Sequence, residues 1–149
     1  MTATFDEASD AMASQFWEAW KAATPDLNDG NVIQVRWPGV AEAEPPAGNV
    51  PWARFTINHF DSAQQTLAPS PDRVFNRAGI ITVQIFAPLN AEGGLLLLRQ
   101  LCTIAKNAYE GISTSNGIWF RNVRIQEVGA TKNWYQHNVL AEFTYDEIK

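Results

Sequence analysis

The segment RVFNRAGIITVQIFAPLN, residues 73–90, constrains the fold of this chain more than any other stretch. Along an extended backbone Gly79, Ile81, Val83, Ile85 and Ala87 lie on one face, and Ala78, Ile80, Thr82, Gln84 and Phe86 on the other. A strand that only covers a core has a clean solvated outer face. This one keeps Ile80 and Phe86 there, so its second face calls for cover. Pro88 closes the run, because proline cannot donate to a hydrogen-bonded ladder.

The flanking sequence supplies elements to build around that strand. Residues 5–23 read as a helix: Phe5, Met12, Phe16 and Trp20 recur near helical spacing, and Ala8, Ala13 and Ala23 complete the stripe. Asp6, Glu7 and Asp10 favour its N-terminal end and Lys21 the other, and Thr24-Pro25 stops it. Residues 32–37 are expected to form a short strand, followed by a loop stiffened by Pro45-Pro46. In 52–60, Trp52, Arg54, Thr56 and Asn58 alternate with the more apolar set Ala53, Phe55, Ile57 and His59, which should meet the core. Residues 61–72 are either a loop or a projecting hairpin tip.

A second helix is expected over 92–112, with Leu97, Leu101, Ile104, Ala108 and Ile112 forming its stripe and Leu98, Cys102, Ala105 and Tyr109 widening it. Residues 117–130 and 133–148 read as an antiparallel hairpin, with an irregularity near Arg121-Asn122. On the last strand His137, Val139, Ala141, Phe143 and Tyr145 share a face. This order predicts an α+β fold: one mixed or mainly antiparallel sheet of about four to five strands, with both helices packed on one face. Residues 1–149 are expected to form a single domain, since 149 residues suffice for one core and no linker interrupts them.

Chemistry-bearing patterns are sparse. Cys102 is the sole cysteine, so it forms neither an internal disulfide nor a thiolate metal cluster, and its aliphatic setting predicts a buried, inert thiol. His59 and His137 lack metal-ligand spacing, and the pairs Glu42/Glu44 and Asp146/Glu147 read as solvated charge. Gly93-Gly94 lacks the Lys-Ser/Thr of a phosphate loop. No catalytic, cofactor-binding or metal residue is assigned, and the chain is expected not to be an enzyme. The formal charge of −5 and scattered basic residues argue against a nucleic-acid footprint. The longest aliphatic block, 95–98, is too short for a membrane span, and the acidic N-terminus is unlike a signal peptide, so synthesis is read as intracellular.

Six tryptophans and the half-apolar strand leave surface for which folding has no use. Trp52 and Arg54, Ile80 and Phe86, and Trp134 with Tyr135 at the hairpin are the candidates for subunit or partner contact, with Arg73 and Arg77 at the start of the central run. Arg77 is expected to be exposed. The loops at 40–50 and 61–72 are one candidate cover for the second sheet face; another subunit is the other.

The succession QVRWP, VPWARFTINHF, NRAGIITVQIFAPLNAEGG, a leucine-rich helix, GIWFRNVRIQEVG and WYQHNVLAEFTYDE resembles the tail terminator proteins of long-tailed, non-contractile bacteriophages and related tail-completion proteins. The resemblance spans about residues 5–147, with RAGIITVQIFAP as its most recognisable part. It implies a virion protein, assembled in the host cytoplasm, that sits as a hexameric ring at the neck end of the tail. Its partners would be copies of itself, the major tail tube protein and the head-tail connector or stopper, with DNA only passing through the lumen. A lumen lined by such acidic chains would repel phosphate and keep contacts weak. It implies no cofactor and no membrane contact. Another neck component of the same particle, such as a head-completion or tail-completion protein, is the alternative.

Overall fold

The computed structural model describes residues 2–40, 50–89, 93–131 and 133–149. Helix α1 spans Phe5–Ala23 and opens with a capping box: the Thr4 hydroxyl accepts from the Glu7 amide, and the Glu7 carboxylate accepts from the Thr4 amide. A short 3-10 turn, Thr24–Leu27, leads to strand β1, Val35–Arg36. Strands β2, Trp52–Gln64, and β3, Val74–Pro88, form a long hairpin. Helix α2 covers Gly94–Asn107, and β4, Trp119–Thr131, pairs with β5, Trp134–Ile148. The sheet order is β1-β2-β3-β5-β4, antiparallel throughout except for β1 on β2. An α+β fold with a mostly antiparallel five-stranded sheet is therefore what the chain forms.

Strand β3 lies at the centre. It pairs with β5 from Val74 to Pro88 and with β2 from Phe75 to Phe86. Where Pro88 ends the run, the Leu89 amide donates to the Asn133 carbonyl at 2.9 Å and closes the hairpin end. Its Gly79, Ile81, Val83, Ile85 and Ala87 are buried, as are Ala53 and Phe55 of β2 and Val139, Ala141, Phe143 and Tyr145 of β5. Both helices pack on this face. From α1, Ala8, Met12, Phe16 and Trp20 are fully buried; Phe16 stacks on Phe55 at 5.3 Å and meets Trp37 edge-on. Burying side chains of this size stabilises the fold by about 2–3 kcal/mol each. Tyr109, just past α2, donates its hydroxyl to the Met12 carbonyl at 2.7 Å and locks the two helices together.

Several boundaries differ from expectation. The strand expected over 32–37 shrinks to two residues because Ile33 is held by side chains: its carbonyl accepts from Trp20 Nε1 at 2.9 Å and its amide donates to Thr24 Oγ1 at 3.2 Å. Strand β2 continues past residue 60, so 61–72 is largely a hairpin tip; Leu67 there is 98% exposed and covers nothing. Helix α2 stops at Asn107, short of 112, and the chain turns through Gly111 at φ +74°. Its buried stripe is Leu98, Leu101, Cys102, Ala105 rather than one centred on Leu97 and Ile104, which are only half-buried. Phe5, placed in the α1 stripe, is 56% exposed and sits against the His59 ring. The irregularity near Arg121-Asn122 is a bulge, with Asn122 at φ +50° and the β5 register shifting between Arg121 and Arg124. The loop with Pro45-Pro46, the Glu42/Glu44 pair and the start of the 92–112 segment lie outside the described residues.

Gly79 shows why a glycine stands inside the central strand. A Cβ built there would lie 2.5 Å from Phe143 Cζ and 2.9 Å from His59 Cα, and closer still to the Asn58 carbonyl oxygen. The Phe143 ring fills the room that the missing side chain leaves. Two of these three contacts are backbone of the neighbouring strand, which cannot step aside without breaking the ladder. Gly79→Ala is expected to destabilise the protein by about 3 kcal/mol in urea unfolding, the upper range for overpacking. A loss under about 0.5 kcal/mol would show that β2 shifts freely at its bulge.

Candidate assembly surface

The sheet has a helix face and an outer face, and the register assigns each candidate residue to one of them. Trp52, Arg54, Ile80, Phe86 and Trp134 fall on the outer face, where neither helix packs. Arg77 and Tyr135 fall on the helix side. Arg73 sits in the loop before β3, where its Nε donates to the Ala68 carbonyl at 3.0 Å and its backbone pairs with Lys149.

On the outer face three rings gather at the end of the sheet nearest the β3–α2 connection. Trp52 stacks on its cross-strand partner Phe86 at 4.1 Å and 11°, and meets Trp134 edge-on at 6.3 Å. The guanidinium carbons of Arg36 and Arg54 lie 4.7 Å and 5.4 Å from the Trp52 ring centre. Aromatic pairs and cation–π contacts of this kind contribute about 1 kcal/mol each. Trp52 is 3% exposed, although it lies on the face away from the helices. Its Nε1 has no hydrogen-bond acceptor among the described residues.

Beside this cluster runs a polar row. Arg54 Nη1 donates to Gln84 Oε1 at 3.1 Å; Asn138 Nδ2 donates to Gln126 Oε1 at 3.1 Å and Asn138 Oδ1 accepts from Gln136 at 2.9 Å. These residues occupy one level of the sheet, Arg54–Gln84–Asn138–Gln126. Thr56 with Thr82, then Ile80 with Glu142, follow. The outer face thus mixes amides, hydroxyls and isolated apolar groups.

Two candidates also make contacts within the chain's own fold. Trp134 and Tyr135, neighbours at the hairpin, do not share a face: consecutive strand residues point to opposite sides, and Tyr135 packs half-buried against the core. Arg77 was expected to be exposed. Its side chain is only 19% exposed, its Nη2 and Nε donate to Glu147 Oε1 at 2.8 Å and 3.1 Å, and its Nη1 donates to Ser62 Oγ. The cause is register: Ser62 and Tyr145 flank Arg77, and Glu147 is one step further along β5 on the same face.

The potentially reactive groups are engaged structurally. Burial pushes the Cys102 thiol up to about 12, so it stays protonated and inert. His137 is buried on the helix face, with Nδ1 2.8 Å from the Gln136 carbonyl. His59 Nε2 lies 2.8 Å from the Tyr145 hydroxyl, between the rings of Phe5 and Phe143. Among the described residues no group of three or more His, Cys, Asp or Glu is placed to hold a metal. No helix among them is long and apolar enough to cross a membrane.

No protein-family model and no curated protein sequence matches this chain. Solved structures do. One solved chain of unstated function superposes with a TM-score of 0.65 at 12% identity, covering 95% of each chain. A chain from the virion of a native gene transfer agent (GTA) particle superposes with a TM-score of 0.54 at 11% identity, covering 93% of this chain and 97% of that one. At such identities the likeness establishes a shared fold.

Two outcomes follow from the helix-side cluster. Arg77→Glu replaces a partner of Glu147 by a like charge, so it is expected to cost about 2–3 kcal/mol of subunit stability in urea unfolding; unchanged stability would return Arg77 to the surface. Burial, and then the Arg77 charge, hold the His59 pKa below its ordinary 6.5. The unfolded chain therefore takes up this proton first as pH falls. The His59 contribution is complete above that value and is lost as pH drops from 6.5 towards the lower folded pKa. His59→Gln should flatten the fall in unfolding free energy between about pH 7 and 5; an unaltered slope would assign the proton to another group.

Proposed function

We propose that this chain is a structural protein of a phage-like particle, a tail terminator. In this reading a ring of identical copies, six by the family pattern, caps the head-proximal end of the tail tube. It ends polymerisation of the tube protein and presents the surface on which the head connector docks. The carrying observation is that the fold matches the GTA virion chain across nearly the whole of both chains. Such a match relates the whole α+β arrangement rather than a shared motif.

The surface supports an assembly role. One sheet face is occupied by both helices, while the other carries half-buried Phe86 and Trp134 with two arginines around the buried Trp52, residue types enriched where proteins meet. Cys102, His59 and His137 already serve the fold, so the reading asks no chemistry of them. The net charge of −5 per copy suits a channel that DNA traverses without adhering.

Electron microscopy of particles produced without this protein tests the role. Overlong tubes of variable length, restored to uniform length by the protein supplied in trans, are the expected result. Tails of normal length that fail to join heads would assign the chain to another neck position. Intact, infectious particles would overturn a structural role altogether.

A further inference from the structure

At the end of the outer face opposite the Trp52 cluster, the chain encloses an open hollow of about 340 Å3 where β4 begins. Trp119 forms one wall. Ile118 and Phe120 turn to the core on either side of it, so the pleat sends the Trp119 ring outward, where it is 68% exposed. The turn before it is tied down by its own backbone. Ser113 bridges to Trp119, and the Thr114 amide donates to the Ile118 carbonyl at 3.1 Å. The Ile118 amide donates in return to Thr114 Oγ1 at 3.1 Å, and Gly117 at φ +83° permits the reversal.

The other wall comes from β3 and β5. Thr144 pairs with Trp119, and Asn76 with Asp146, across neighbouring strands. Asn76 Nδ2 donates to Asp146 Oδ1 at 3.1 Å and so orients the carboxylate in advance. Asp146 Oδ2 and the hydroxyls of Ser113 and Thr144 make no hydrogen bond among the described residues. Among the described residues that line the hollow, Asp146 alone is charged.

We propose that this hollow binds a guanidinium group, the side chain of an arginine on a partner protein. A carboxylate with no cation beside it draws a positive group, and the face of an exposed indole attracts the same charge. An anion would meet Asp146 without a counter-charge. A neutral sugar would use the ring and the hydroxyls but leave the charge unmatched. Of the two basic side chains, arginine is the better fit. Its planar fork stacks flat on an indole and carries five donors, whereas a lysine ammonium is a strongly hydrated point charge. The acceptors are spread over separate elements, Asp146 and Thr144 on β5 and Ser113 on the turn, which a fork reaches together. The formal charge of −5 favours the approach of a basic partner. This site stands or falls apart from the tail role, because its measurement involves no particle.

The test is nuclear magnetic resonance on the isotope-labelled full chain, with the peptide acetyl-Gly-Arg-Gly-amide as probe. The reporters are the Trp119 indole N–H, assigned by its loss in Trp119→Leu, and the backbone amides of Ser113 and Asp146. The arginine peptide is expected to move these signals along a saturable curve, with a dissociation constant in the millimolar range, as suits one exposed ion pair and one cation–π contact. The peptide with citrulline, which keeps the shape and loses the charge, should bind about fivefold more weakly, and the lysine peptide about threefold. Asp146→Asn, which retains an acceptor for Asn76, and Trp119→Leu should each weaken arginine binding about fivefold. Melting curves show whether the variants fold; should Asp146→Asn not fold, the citrulline comparison on the wild type decides the role of charge. Signals unmoved by the arginine peptide, a citrulline peptide that binds equally well, or wild-type affinity in either folded variant overturns the site. A lysine peptide that binds as tightly overturns the choice of guanidinium. Saturation by methyl glucoside at lower concentration than by the arginine peptide would make this a sugar site and overturns the assignment likewise.

Discussion

Everything in this fold hangs on one strand being paired along both edges. Because β3 is hydrogen-bonded to β5 over its full length and to β2 over most of it, its two faces are the only directions left for packing. The helices take one of them. Gly79 makes this possible, since any side chain there would collide with the β2 backbone and the Phe143 ring. Once β3 is seated, the hairpin partners, the aromatic layer of Phe16, Phe55 and Trp37, and the Tyr109 tie between helices follow in register.

The same constraint leaves the outer face with a mixed role. It is neither a core, since amides and threonines run across its middle, nor an ordinary solvated surface, since Trp52 is buried at its end beneath rings and guanidinium groups. A face of this kind tolerates water and can also accept protein.

Particular residues show how far the sequence could be read. The alternation in 133–148 placed His137, Val139, Ala141, Phe143 and Tyr145 together, and all five are buried, because a half-buried strand writes its core face every second residue. Helix α1 was legible over 5–23 for the same reason at a different period, with Thr24-Pro25 marking its end. The stripe of α2 was misjudged by part of a turn, because LLLL offers an aliphatic residue in every direction. The pleat sends Tyr135 to the face opposite its chain neighbour Trp134, which adjacency in the sequence does not show.

The sequence by itself determined the elements, the α+β class and the apolar faces, since period and capping chemistry act over distances of a few residues. Only the tertiary structure decided which side chains remain for other molecules. Glu147, which occupies Arg77, is seventy residues away along the chain. Phe86 and Trp134, which close over Trp52, arrive from two other strands. Whether a polar or aromatic group is already satisfied depends on long-range register, and register is settled by the packing of the whole sheet rather than by any local run of residues.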